Sequence, residues 1–136
     1  MESKKNGTKY EDPMVVRFIF NLENEYVVSN ITRTEIFRYI SASWNAKEEL
    51  CEEVWKDFLN AYKVTFLQVK EIDFDDMTRI CLSVKTKKKT LVNLMHLQIA
   101  KKEGLWFLTG EKDLISKYKA YYKRVLSYED LRKMFS

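Results

Sequence analysis

Proline and glycine are scarce in this sequence of 136 residues, which has one proline and three glycines. Disordered chains are often rich in these two residues, so the scarcity argues against disorder. The sequence also lacks a Gly-rich phosphate loop and a Gly-x-Ser-x-Gly nucleophile turn. Because 46% of the residues are hydrophobic and 14% are aromatic, one domain of this length has ample material for a core.

Cysteine and histidine are equally rare. Cys51 and Cys81 are too few for a disulfide framework and lack metal-ligand spacing, so we expect two reduced thiols. His96 is the only histidine, and a single histidine without an acidic neighbour is more often structural than catalytic. Asp73, Asp75 and Asp76 form an acidic turn that lacks the glycine and distal glutamate of a calcium loop, which favours a solvated turn. We therefore predict no catalytic residue, no metal ion and no cofactor.

Long apolar runs are absent as well. No segment approaches the roughly 20 apolar residues that span a bilayer, and the N-terminus lacks the apolar core of a secretion signal. We expect residues 1–11 to be a flexible N-terminus and residues 12–136 to form a single domain. We also expect no membrane contact and, for a full-length chain, a cytoplasmic location.

Helical periodicity dominates the first half of the sequence. Asp12-Pro13 is typical of a helix start and predicts a helix over residues 13–27. A shorter helix is predicted over residues 33–42. A third is predicted over residues 46–62, where apolar residues recur three and four positions apart around Trp55.

Alternating apolar and polar residues suggest strands in the second half. The alternation is clearest in residues 77–86 and 90–101, and it is the period that a sheet with one buried face requires. Further strands are predicted at residues 63–71 and 105–110. Gly104 would supply the positive φ that a hairpin turn before the last strand usually needs.

The predicted fold class is therefore α+β, with N-terminal helices packed on a curved, four-stranded antiparallel sheet and an additional C-terminal helix. That last helix covers residues 112–126, and Ser127 with Asp130 would cap one more turn. Its apolar stripe would form an exposed patch that monomers avoid, so we expect it to cover the core or a second copy.

The sequence KVTFLQVKEI at residues 63–72, with MTRICLSVKT and AKKEGLWFLTGEK after it, resembles the cystatin-like and nuclear transport factor 2-like superfamily. Lys102, Glu103, Gly104 and Trp106 match residues that often precede the last strand in its small bacterial members. The resemblance implies a cone with a pocket between helices and sheet, and pairing of two copies through their sheets. The C-terminal helix lies beyond the usual end of such domains.

Within such a cone we place His96, Trp106 and Tyr62 in a ligand pocket. The superfamily includes isomerases, hydratases and many non-catalytic modules, so the fold does not decide the activity. Because no catalytic set is recognisable, our first hypothesis is a non-enzymatic binding or assembly module that uses the pocket or the sheet face to bind a protein or small ligand. A small-molecule enzyme of the isomerase or hydratase type is the last alternative.

Basic residues support a second hypothesis, contact with nucleic acid. The net charge is only +4, but lysines crowd the 85–89 loop and basic residues with interleaved tyrosines follow in the predicted C-terminal helix. Such residues bind phosphates and stack on bases, although they also fit a solvated loop and an amphipathic helix. We therefore predict weak, charge-driven binding of nucleic acid, in addition to a protein partner or self-association. The residues concerned are Lys85, Lys87, Lys88, Lys89, Lys123 and Arg124.

Overall fold

The computed structural model describes residues 26–62 and 64–134, and the chain divides into two compact units. The described part of the N-terminal unit ends at Glu71, and the described part of the C-terminal unit begins at Ile72. Residues 1–11 and most of the predicted helix 13–27 lie outside the described residues. The single domain over residues 12–136 stays a prediction.

The N-terminal unit consists of two helices and two short strands. Strand β1 is Tyr26–Ser29, helix α1 is Asn30–Trp44, helix α2 is Glu48–Tyr62 and strand β2 is Val64–Leu67. The two strands pair in parallel, with Tyr26 opposite Val64. Helix α1 begins after β1 because the Ser29 hydroxyl accepts a hydrogen bond from the amide of Ile31 at 3.1 Å.

Trp55 organises the core of the N-terminal unit. Its side chain is 5% exposed, stacks on Phe58 at 5.6 Å between ring centroids and meets Phe66 of β2 edge-on at 5.8 Å. Ile40 of α1 and Cys51 of α2 are buried as well. The helices predicted over residues 33–42 and 46–62 are thus present with slightly different bounds.

The C-terminal unit begins with two helices and continues into a second parallel strand pair. Its elements are α3 (Phe74–Ser83), α4 (Leu91–Glu103), β3 (Phe107–Thr109), a 3₁₀ turn (Lys112–Leu114), α5 (Ile115–Tyr118), β4 (Val125–Ser127) and α6 (Tyr128–Met134). Strand β3 pairs with β4, with Phe107 opposite Val125. The core combines side chains from α3, α4 and both strands with Leu114 and Tyr118.

The predicted four-stranded antiparallel sheet is wrong. Across the residues that the structure describes, the strands form two separate two-stranded sheets, and both are parallel. The segments predicted as strands at residues 77–86 and 90–101 lie in α3 and α4. The strands predicted at residues 63–71 and 105–110 contain β2 and β3, but neither belongs to an antiparallel meander.

The error has an identifiable cause, since the residues of 77–84 satisfy two periods at once. Met77, Ile80 and Val84 are three and four positions apart, and all three are buried, as one side of a helix requires. The local signals also belong to helices. Asp73 caps α3 by accepting from the Asp76 amide at 3.0 Å, so the predicted acidic turn is a helix start. Gly104 does have a positive φ, of 69°, but it ends α4.

The predicted C-terminal helix over residues 112–126 is also interrupted. Helical structure ends at Tyr118, and residues 125–127 form β4. The apolar residues do cover the core of their own unit, because Leu114, Tyr118 and Val125 are buried in it. The predicted cap is present, since the Asp130 amide donates to the Ser127 hydroxyl at 2.9 Å and α6 follows.

Replacing Leu97 with alanine tests the helical register of α4. Leu97 is fully buried, so Leu97→Ala should lower the free energy of unfolding by about 2–5 kcal/mol. Leu91 belongs to the same helix but is 61% exposed, and Leu91→Ala should change it by less than about 0.5 kcal/mol. Chemical denaturation measures both, and equal losses for the two variants would contradict the register.

Candidate functional site

Polar side chains gather beyond the carboxyl end of β3. Oε1 of Glu111 accepts hydrogen bonds from Nδ2 of Asn93 at 2.6 Å and from the Tyr118 hydroxyl at 2.7 Å. The Glu111 amide donates to the Thr109 hydroxyl at 3.1 Å, which fixes the turn after the strand. The cluster ties α4, α5 and the end of β3 together, and ligands of open parallel sheets bind at such strand ends.

The electrostatics of this cluster are dominated by burial and by two acidic residues. Burial, followed by the hydrogen bond to Glu111, raises the pKa of the Tyr118 phenol. Nearby, Lys88 pairs with Asp113 on the surface, and this contact raises the pKa of Lys88 and lowers the pKa of Asp113. Because the Tyr118 phenol is protonated, it donates to the Glu111 carboxylate and holds that carboxylate in place.

A second polar cluster joins the start of α3 to α4. Oδ2 of Asp76 accepts from the Tyr121 hydroxyl at 2.7 Å and from Nε2 of Gln98 at 3.1 Å. Gln98, which is buried, also donates to the carbonyl of Asp73 at 3.0 Å. Nζ of Lys101 lies 4.2 Å from the Tyr121 ring centroid, and Arg79 lies 3.5 Å from Oδ1 of Asp76.

Hydrogen bonding therefore sets the ionisation of this cluster. The Tyr121 hydroxyl is the main cause that lowers the pKa of Asp76, and Gln98 and Arg79 act in the same direction, whereas partial burial opposes them. Burial, followed by the bond to Asp76, raises the pKa of Tyr121. The arrangement is a charged anchor, since the Asp76 carboxylate of α3 binds Gln98 of α4 and the hydroxyl of Tyr121.

The three residues predicted to line a pocket are not brought together on one curved sheet. His96 lies on α4, where its ring stacks on Phe107 at 6.4 Å, and Trp106 precedes β3 with 55% of its surface exposed. Tyr62 ends α2 in the other unit, and its side chain lies outside the described residues. The cone that would have held these residues is absent from the described residues, because its antiparallel sheet is absent from them.

The predicted basic residues fall into two groups at opposite ends of α4. The 85–89 loop directly precedes the helix, and Lys117 adds a further amine there by donating to the carbonyl of Lys85 at 2.5 Å. Arg124 lies at the other end, where Nη1 donates to the carbonyl of Gly104 at 3.0 Å. Lys123 is its neighbour in sequence. A helix of 13 residues separates the two ends by about 20 Å.

Sequence reasoning missed the exposed side of α3. Phe74 is 74% exposed and Leu82 is 66% exposed, and Thr78 and Cys81 are exposed between them. Thr78 follows Phe74 by four positions, and Cys81 and Leu82 follow Thr78 by three and four, so these residues share one side of the helix. We call them the α3 apolar face. If the acidic residues before position 77 had been interpreted as the start of a helix, the sequence would have predicted this exposed face.

No family model matches this sequence, and no curated protein and no solved structure matches it either. The resemblance to the cystatin-like and nuclear transport factor 2-like superfamily therefore stays a prediction. None of the helices within the described residues is long and apolar enough to cross a membrane. Across residues 26–62 and 64–134, histidine, cysteine and acidic side chains form no group of three or more that could hold a metal ion.

The pKa of Asp76 leads to a prediction about acid stability. A carboxyl group with a lowered folded-state pKa stabilises the fold above its unfolded pKa, and this contribution disappears as the pH falls through the folded value. Tyr121→Phe removes the main cause of the shift. We expect it to cost about 1–2 kcal/mol at pH 7 and much less well below pH 4. Chemical denaturation at pH 7 and pH 3 measures both values.

The matched control for this experiment is Tyr122→Phe. The Tyr122 hydroxyl donates to the carbonyl of Leu105 at 2.6 Å, so this variant loses a hydrogen bond without touching a carboxylate. Its cost should be the same at pH 7 and pH 3. If the two variants show the same dependence on pH, Tyr121 does not control the ionisation of Asp76.

Proposed function

We propose that this chain is a non-catalytic assembly module that binds protein through the α3 apolar face. The observation that carries the proposal is the exposure of Phe74 and Leu82, 74% and 66%, along one side of one helix. Single exposed apolar residues are ordinary on protein surfaces, but an aligned set is typical of a contact surface.

The helix that presents this face is firmly held. Met77, Ile80 and Val84 anchor another side of α3 in the core, and the Asp76 cluster fixes its first turn. A rigid face loses little conformational entropy on binding, which favours association. The Thr78 hydroxyl donates to the carbonyl of Phe74 at 3.1 Å, so the group at the centre of the face already has a hydrogen-bond partner.

Charge near the two ends of α3 defines the chemistry of the partner. Asp73 and Asp75 lie at its start, whereas Lys85 and Lys87 follow its end, and all four are exposed. Complementary charge orients binding more than it strengthens it. The partner surface should therefore carry a short apolar strip with basic residues at one end and acidic residues at the other.

A photoreactive p-benzoylphenylalanine in place of Leu82 tests this function in cells that express the full-length chain. We expect a covalent adduct with a protein whose attached peptide has the apolar strip and the opposite charges described above. Adding Phe74→Asp should remove the adduct, because a charge would then interrupt the face. Aspartate suits the first turn of a helix, so this variant should fold.

The matched control places the same photoreactive residue at Lys102, an exposed position on the last turn of α4. Position 102 should give little or no adduct. Equal adduct formation at positions 82 and 102, or an adduct at position 82 that survives Phe74→Asp, would reject the proposed function.

Contact with nucleic acid is a second candidate, and the observation that favours it is local. Lys85, Lys87 and Lys89 are exposed in one loop, and Lys117 reaches this loop from α5. Lys88 is the exception, because it pairs with Asp113. Acidic groups beside the loop weaken its potential, so binding through it would be modest and would fall as salt competes for phosphates.

Fluorescence anisotropy with labelled oligothymidylate measures this activity at several salt concentrations. Replacing Lys85, Lys87 and Lys89 with glutamine should weaken binding and lower the salt dependence by up to about 2 in the logarithmic slope. The control replaces Lys123 and Arg124, at the other end of α4, with glutamine as well. It should leave the slope of the salt dependence unchanged. Tight binding that is insensitive to salt would contradict a charge-driven contact.

A further inference from the structure

We infer that the partner of the α3 apolar face is the same face of a second copy of this chain, packed antiparallel about Thr78. The inference rests on the proposed function and goes beyond it, because it names the partner and the register. In this arrangement Phe74 of one copy meets Leu82 of the other, and the contact is repeated by the two-fold axis. A symmetric interface requires such reciprocal contacts.

Spacing along α3 makes the face self-complementary. Phe74 and Leu82 lie equally far from Thr78, four residues on either side, and eight residues of helix span about 12 Å. Reversing the direction of a second helix therefore places each large side chain opposite the other kind. The small Thr78 lies at the centre, where two backbones must approach most closely. Its hydroxyl is bonded within its own helix, so its methyl group is the part left for contact.

Charge favours the antiparallel direction over the parallel one. The start of α3 carries Asp73 and Asp75, and the end is followed by Lys85 and Lys87. In a parallel pair, acidic residues would face acidic residues and lysines would face lysines. In an antiparallel pair, each acidic start faces a basic end. The helix dipoles are also opposed in this direction. Exposed charges add little affinity, so their main effect is to select the direction.

The size of the face sets the expected strength. Fewer than three helical turns present large apolar side chains, which places the contact at the small end of protein interfaces. We expect a dissociation constant on the order of micromolar rather than nanomolar.

The test mixes two variants of the full-length chain, Phe74→Asp and Leu82→Lys. The helix dipole favours an aspartate at the start of α3 and a lysine near its end, so each variant should fold. When two copies of the same variant pair, a charged side chain meets an apolar one at both Phe74–Leu82 contacts. Sedimentation velocity of each variant alone should therefore show association weakened at least about 10-fold. Mixed in equal amounts, the two variants form one ion pair between the introduced carboxylate and the introduced amine, and they keep one Phe74–Leu82 contact. Association should then recover.

A cysteine at the centre of the face gives a second measurement that does not depend on affinity. In a Cys81→Ser background, Thr78→Cys should form a disulfide between copies under mild oxidation, whereas a cysteine at exposed Lys102 should not. As a control for nonspecific association, Trp106→Lys changes another exposed aromatic residue outside α3 and should leave sedimentation unchanged.

The outcomes separate this inference from the proposed function. A wild-type chain that stays monomeric into the millimolar range, or variants that do not recover on mixing, would overturn the antiparallel pair. If the chain is monomeric while position 82 still cross-links to a different protein, the proposed function survives without the second copy. If position 82 cross-links to no protein and the chain does not associate, both fall.

Discussion

A helix that packs on a core can bury only one side, and this constraint governs the C-terminal unit. Burying Met77, Ile80 and Val84 against α4 leaves Phe74 and Leu82 outside the core. These two exposed side chains are therefore a direct consequence of the register that the core imposes. A register that buried them would have to withdraw Ile80 and Val84 from the core, where both are almost completely inaccessible to water.

Polar clusters at two places hold the helices of this unit. At the start of α3, Asp76 binds Tyr121 and the buried Gln98, so a carboxylate joins three segments of the chain. Beyond β3, Glu111 does the same for Asn93 and Tyr118. Buried polar groups are costly unless they have partners, and here the partners lie far apart in sequence. The clusters therefore resist slippage of α3 and α4 in a way that apolar packing alone does not.

The sequence was sufficient to locate elements where one period prevailed. Around Trp55 the apolar residues fit only a helix, and α2 follows the prediction closely. In residues 77–101, alternation and helical spacing coincide, so periodicity alone could not distinguish the two. Gly104 illustrates the same ambiguity, because a positive φ serves a hairpin turn and a helix end equally well. Capping by Asp73 and the lysines before Gly104 were the signals that favoured helices.

The pairing of β3 with β4 was harder to predict from the sequence. Each strand has only three residues, and their parallel connection through α5 carries no short-range turn signal. The basic residues could be identified from the sequence, but their positions in the fold could not. The length of α4 separates the 85–89 loop from Arg124, and α4 was predicted as a strand.

The proposed function of this unit follows from the way charge and apolar surface are distributed along one helix. Among the acidic residues that start α3, Asp73 caps the helix, and Asp75 and Asp76 are favourable partners of the helix dipole. The lysines after its end are favourable for the same electrostatic reason. A helix that satisfies both local preferences is acidic at one end and basic at the other. With an apolar side exposed between them, its best electrostatic complement is a helix of the same kind running in the opposite direction. Local stability and the proposed self-recognition thus draw on the same residues.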